Sequence, residues 1–189
     1  YYEGGIRVPF FVKWPGVVKA GTRCEIPIHG VDLYPTLCEI AKATLPTDQP
    51  VDGRSLVPLF RGQFDAWTER ALYWHFPAYL VSYSVYHEQR DPLFRPRPCA
   101  VVRCGDWKLI EYYEDDFVEL FNLKEDLGET RNLAPSETKI REDLQQQLRT
   151  WQRELNAPIP KELNPEYDPE AEAKAIRRKL ADKTPPSRE

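Results

Sequence analysis

Several things are scarce in this chain of 189 residues, and each scarcity excludes something. Methionine is absent and no charged-then-apolar leader opens the sequence Tyr1-Tyr2-Glu3-Gly4-Gly5, so Tyr1 is not expected to be a natural start, and any targeting signal would lie upstream. Apolar runs are short, as at Phe10 to Val12 and Leu80 to Val81, whereas a spanning helix needs about 20 apolar residues, so no membrane contact is expected. Excess positive charge is missing too: a formal net charge of -4 argues against a dedicated nucleic-acid binder. The four cysteines, Cys24, Cys38, Cys99 and Cys104, show no C-x-x-C spacing and no His partner at finger-like intervals, which speaks against zinc. Cys99 and Cys104 on one extended run would point to opposite faces and could not pair without a bend.

What is present suffices for a folded core, with 41% hydrophobic residues. The stretch Ile6 to Trp14 reads as a buried strand, since Phe10-Phe11-Val12 is a continuous β-prone run closed by Pro15-Gly16. Asp32 to Ala43 reads as a helix capped by Asp32, with Pro35 in its first turn and Leu33, Leu37, Ile40 and Ala41 on one face. Pro, Gly and Asp then break the pattern up to Phe64, apart from an apolar patch at Leu56 to Phe60.

From Ala71 the period changes to two: Leu72, Trp74 and Phe76 alternate with Tyr73 and His75. Ala100 to Arg103, Trp107 to Tyr113 and Phe117 to Phe121 read as two hairpins joined at Gly105-Asp106 and at Glu114-Asp115-Asp116. An amphipathic helix follows, capped by Ser136 and running to about Asn156, with Ile140, Leu144, Leu148, Trp151 and Leu155 at helical spacing. It should pack across the sheet, with Trp151 and Trp107 on facing elements. Beyond Pro158 the prolines and charges suggest an extended tail with at most one loose helix.

Four blocks stand in order and register: Tyr2 to Phe10, Trp14-Pro15-Gly16, Val31 to Leu37, and Asp52 to Leu56. Arg103 to Leu109, Glu119 to Leu123, Asp126, Glu129 and Asn132-Leu133-Ala134 follow. Together these resemble the C-terminal part of bacterial-type, formylglycine-dependent sulfatases of the alkaline-phosphatase-like superfamily, over Tyr1 to Ala157. The resemblance implies an α/β fold: residues 1–70 as the end of a large sheet-and-helix domain, 71–157 as a small antiparallel sheet packed by a long helix, and 158–189 as a tail. It implies a parent sulfuric ester hydrolase that uses formylglycine and Ca2+, acts on a sulfated carbohydrate or aryl sulfate ester, and is periplasmic or secreted.

Such chemistry needs an activated oxygen nucleophile, a cation to neutralise the sulfate, and Lys and His donors for the leaving group. No Cys here is followed by Pro-x-Arg and no Asp-Asn pair occurs. The family's lysine just before Tyr-Glu-Gly-Gly would lie upstream of Tyr1. The expectation is a chain with no catalytic residue, no metal ligand and no bound cofactor, inactive without the N-terminal half of the enzyme. Thr184-Pro185-Pro186-Ser187-Arg188 mimics the nucleophile motif, but Thr cannot give the aldehyde. A phosphoryl or phosphonate hydrolase of the same superfamily and a non-catalytic module that binds anionic glycans remain as other readings.

The candidate substrate rim comprises His75, Tyr79, His87, Arg95 and Arg97. Imidazoles can donate to a sulfate, aromatic faces stack on sugars, and guanidinium forks match sulfate. Tyr83, Tyr86, Arg90 and Arg103 lie nearby in sequence. For each the plainer reading is an ordinary loop or a satisfied histidine. Gly4-Gly5 with Arg7 could cradle an anion or simply turn the chain into the strand, with Arg7 in an ion pair. His29 reads as structural, and Glu114 to Asp116 as a solvated turn rather than a calcium loop.

Overall fold

The computed structural model describes residues 1–67, 70–81, 91–162 and 164–181. Tyr83, Tyr86, His87, Arg90 and the Thr184 to Arg188 motif lie outside the described residues. The chain divides into two compact units, one of Tyr1–Ile6 with Tyr73–Glu189, the other of Arg7–Leu72.

A four-stranded sheet in the order β1 (Leu72–Phe76), β2 (Cys99–Cys104), β3 (Trp107–Tyr112), β4 (Val118–Asn122) organises the first unit. β2 and β3 pair antiparallel with Val101 opposite Ile110, and β3 and β4 with Ile110 opposite Glu119. The hairpins sit where the turn residues predict: Gly105 takes a positive φ of 56° between β2 and β3, and Asp116 one of 51° before β4.

The pleat then sorts side chains onto two faces. One carries Cys99, Val101, Ile110, Tyr112 and Phe121, which cluster with Leu123 and are joined by Tyr1 and Trp74. The covering element is the N-terminal stretch, whose residues Glu3–Ile6 form the short helix α1. Tyr1 meets Phe76 and Tyr2 meets Phe121 through their rings.

The other face receives the long helix α4 (Thr138–Glu154), which packs on β2 and β3 with Leu144 and Leu148 buried. Arg149 Nη2 reaches Glu111 Oε1 at 2.7 Å, and Gln145 donates to the same oxygen at 2.9 Å. Trp151 stacks on Tyr73 of β1, with ring centroids 4.8 Å apart and planes 6° from parallel, while Trp107 belongs to β3, on which α4 also packs. The expected Ser136 cap is not formed: Ser136 Oγ donates to Leu133 O, and the residue before the helix is Glu137 with no side-chain cap. That turn is held by backbone bonds to Leu133 instead. A last helix, α5 (Pro169–Ala181), has no buried residue.

In the second unit α2 (Leu33–Ala41) and the single turn α3 (Val57–Phe60) are joined by a polar lock. Asp32, fully buried, accepts from the N–H groups of His29 and Arg54 and pairs with Arg70 Nη1 at 2.7 Å. These partners replace the helix-capping role expected of it, for its side chain makes no bond to the first turn of α2. Thr36 Oγ1 donates to Asp32 O and accepts from Leu56 N. A Cβ on Gly53 would stand 2.0 Å from Val31 O, so the Asp52-Gly53-Arg54 segment lies against the α2 approach where no side chain fits. The core is small: Leu56, Leu59 and Trp67, with Ile26, Ile28 and Phe60 against them.

Two expectations are corrected in this unit. Ile6 to Trp14 is not a strand, and Phe11 is 88% exposed. A strand is stable only by pairing its backbone, and no described segment pairs with this one. The apolar face read on α2 is turned outward, since Leu33, Leu37 and Ile40 are exposed while Pro35 and Thr36 are buried.

Candidate functional site

After β1 the chain runs through Tyr79 to Val81, and Val81 bridges antiparallel to Phe94. Leu80 O accepts from Arg95 N at 2.7 Å and Leu80 N donates to Pro96 O at 3.2 Å, so the two arms of this excursion pair before β2 begins. Asp91 fixes the returning arm, because one carboxylate oxygen accepts from the N–H groups of Leu93 and Phe94 at 2.7 and 3.0 Å.

Arg97 is the hub of this cluster. Its Nε pairs with the other Asp91 oxygen, its Nη1 donates to Glu114 Oε2 at 2.9 Å, and its Nη2 to Glu172 Oε1 at 3.0 Å. Its guanidinium also lies 5.3 Å from the centre of the Phe94 ring. Burial alone would disfavour the charge, but the hydrogen bonds that Arg97 donates to Glu114, Asp91 and Glu172 outweigh it and raise the Arg97 pKa. Tyr79 donates to Glu114 Oε1 and packs against Phe94 at 4.9 Å. Partial burial, then the Glu114 carboxylate, push its phenol up to about 12. Tyr167 donates in turn to Glu172, and this bond, followed by Arg97, holds the Glu172 carboxyl below its ordinary value.

His75 stands on the α4 side of β1, opposite Trp74 as the alternation predicts. Its Nδ1 is 2.7 Å from Tyr113 Oη and its Nε2 is 3.1 Å from Pro158 O, so both ring nitrogens are engaged. Tyr113 also accepts from Gln152 of α4 at 2.8 Å. His75 thereby ties β1, the end of β3 and the chain beyond α4 together. Arg95 contrasts with Arg97: it is exposed, and its side chain makes no hydrogen bond or ion pair among the described residues. Tyr79 and Arg97 are thus brought together through Glu114, His75 stands one residue away through Tyr113, and Arg95 faces solvent.

Three carboxylates of this cluster were not singled out in the sequence. Glu114 reads there as a solvated turn, and Asp91 and Glu172 carry no local signal, since their partner is 6 and 75 residues away. Also missed was the clamp on the opposite face of the sheet. Lys108, fully buried, pairs with Glu3 Oε1 at 3.2 Å and Glu129 Oε1 at 2.8 Å, and Arg103 Nη1 reaches Glu3 Oε2 at 3.5 Å. Arg103 therefore belongs to the clamp, away from the Arg97 cluster.

Asp126, Glu129 and Asn132 hold the loop after β4. Asp126 accepts from the N–H groups of Thr130 and Arg131, and these bonds keep its carboxyl below the usual range. Asn132 Oδ1 accepts from Leu120 N and Ala134 N. Glu129 has a positive φ of 56°, and its carboxylate is delivered to Lys108.

Residues 1–154 match the family model for N-sulphoglucosamine sulphohydrolase, C-terminal. The chain belongs to this sulfatase C-terminal family. The clamp and the Asp32 lock are both built from residues inside the matched region. A sulfatase from Formosa agariphila is 38% identical over 170 residues, covering 84% of this chain and 29% of that protein. The rat steryl-sulfatase is 44% identical over 79 residues, 42% of this chain and 14% of that one. Among solved structures, BT4656 in complex with its substrate D-glucosamine-2-N,6-O-disulfate is 27% identical with a TM-score of 0.60, covering 79% of this chain and 29% of that one. The chain thus spans less than a third of the length of these relatives.

Proposed function

We propose that this chain is the C-terminal portion of a sulfuric ester hydrolase acting on a sulfated carbohydrate, in which it supplies part of the substrate rim and the scaffold behind it. The observation that carries the reading is the family match over residues 1–154, together with 38% identity to a sulfatase across 84% of the chain. The solved relative whose substrate is a disulfated glucosamine favours a sulfated sugar over an aryl ester. The outward apolar residues Phe10, Phe11, Leu37 and Ile40 suit a unit whose sheet partners are supplied by the rest of such an enzyme.

Among the rim candidates Arg95 is the guanidinium able to meet a sulfate directly, since the donors of Arg97 are held by three carboxylates. Tyr79 and Phe94 offer the aromatic edge, and Arg97 positions them. His75 supports this rim from behind through Tyr113. Formylglycine and Ca2+ would supply nucleophile and charge neutralisation in the parent enzyme. The residues here do not fit the metal: no group of three or more His, Cys, Asp or Glu stands together to hold an ion among the described residues. No step is therefore assigned to this chain through either group.

The test is to purify the full-length protein and measure sulfate release from glucosamine-2-N,6-O-disulfate beside hydrolysis of a phosphonate monoester. Sulfate release, abolished when a Cys/Ser-x-Pro-x-Arg nucleophile upstream of Tyr1 is replaced, is the expected result. Turnover of the phosphonate without sulfate release would overturn the sulfatase reading in favour of the sister chemistry. Residues 1–189 alone should show no turnover above a denatured control.

A further inference from the structure

α5 lies outside the region matched to the family, which ends at residue 154. Its charges are sorted in two ways. Along its length, Glu170 and Glu172 occupy the first turn and Arg178 and Lys179 the last, in accord with the helix dipole. Around its circumference, Glu172 is turned to Arg97 and anchors the helix, while Ala171, Lys174, Ala175, Arg178 and Lys179 recur at the three- and four-residue spacing of one stripe.

Together with Leu93, which stands after the Asp91 turn, this stripe lines a cavity of about 410 Å³. Among the described residues three cations and no acid line it, in a chain whose net charge is -4. Lys174 and Arg178 are exposed, make no ion pair among the described residues, and sit one turn apart. The floor between them is apolar, formed by Leu93, Ala171 and Ala175.

From this we infer that the α5 cavity is a second carbohydrate-binding site, an anchor for a sulfated sugar segment of a polyanionic glycan. The cations meet sulfates and the apolar floor meets the ring face of the sugar. The volume falls in the range of small-molecule sites, about 300 to 1,000 Å³. Glu172 has a positioning role, since its bond to Arg97 fixes which side of the helix faces the cavity. The inference goes beyond the proposed hydrolase activity and depends on it only for the class of glycan.

The test is fluorescence anisotropy of a labelled, sulfated glucosamine-containing oligosaccharide on the full-length protein, beside its desulfated counterpart and a DNA oligonucleotide of equal charge. Lys174→Gln with Arg178→Gln should raise Kd for the sulfated probe about fivefold or more and flatten its salt dependence. Ala175→Glu, which keeps a good helix former and adds an opposing charge, should do the same, with circular dichroism and Tm unchanged. Unaltered affinity in both variants would overturn the site. So would equal binding of the desulfated probe, or DNA binding as tight as that of the glycan with the same loss. Because the readout is binding, a protein that hydrolyses no sulfate ester yet shows the loss refutes the enzymatic reading and keeps the site. An active sulfatase without the loss does the reverse.

Discussion

The two units treat their apolar residues in opposite ways. In the sheet unit both faces are covered, one by α4 and the other by the N-terminal stretch, so Val101, Val102, Leu109, Leu120 and Leu148 are wholly buried. In the Arg7–Leu72 unit the core is small, while Val8, Phe10, Phe11, Leu37 and Ile40 face outward. Its order comes from polar bonds instead, centred on Asp32 and Thr36. A unit built this way holds a backbone shape without consuming its apolar surface, whereas the sheet unit spends that surface on its own stability.

The contrast is sharpened by substitution, beginning with the largest effect. Lys108→Ala should cost about 3 to 5 kcal/mol, since it leaves Glu129 buried without its cation and removes one of the two cations that reach Glu3. Urea unfolding followed by the sheet signal checks it, and a cost under 1 kcal/mol would show that water reaches the clamp. Leu148→Ala, at a fully buried site under α4, should cost about 2 to 5 kcal/mol in the same assay. Trp151→Ala should cost less than full burial implies, about 1 to 3 kcal/mol, because the ring is only half-buried and what it loses is its stack on Tyr73.

In the other unit, Gly53→Ala should disrupt the approach to α2, as the backbone carbonyl of Val31 cannot yield the way a flexible side chain would. Hydrogen exchange should quicken at Leu56 and Val57 while β2 and β3 keep their protection. Equal loss in both units would mean that they unfold together.

The smallest effect concerns α5. The carboxyl of Glu172 is depressed in the folded protein, so its contribution is present above the ordinary value of 4.5 and is lost as pH falls through the lower folded value. Arg97, Tyr167, Asp91 and Glu114 are the charged or titratable groups grouped around it. α5 should therefore exchange its amides faster below pH 4.5 at a pH where α4 remains protected, and Glu172→Gln should abolish that dependence.

The hairpins and α4 are legible in the sequence because their signals are local. Alternation sets the faces of β1 to β4, Gly105-Asp106 sets a turn, and Leu144 and Leu148 set the buried stripe of the helix. Phe10 to Val12 mislead because β propensity records how well a residue fits a pleated surface and says nothing of whether a partner is there. Asp32 misleads for a related reason: its position suits a cap, but Arg54 and Arg70 claim its oxygens. The cluster around Arg97 was half legible. The aromatic and arginine composition marked the segment, yet the distinction between Arg95 and Arg97 depends on Asp91, Glu114 and Glu172, which no local pattern connects. Alternation would likewise place Lys108 on the face of Ile110 and Tyr112, without revealing the two carboxylates that make its burial tolerable.

The clamp has a consequence in time as well as in space. Glu3 and Lys108 are 105 residues apart, so the segment that closes one face of the sheet is made long before the sheet it closes. At a synthesis rate of about 5 to 20 residues per second, Tyr1 to Ile6 wait about 5 to 20 seconds for their partner to emerge. The hairpins and α4 involve short loops and form first, while the strap pays a long loop closure and docks last. Between the folding of the hairpins and the docking of Tyr1 to Ile6, Val101, Ile110 and Phe121 face solvent on one side, apolar surface of the kind that makes a partly folded chain prone to aggregate.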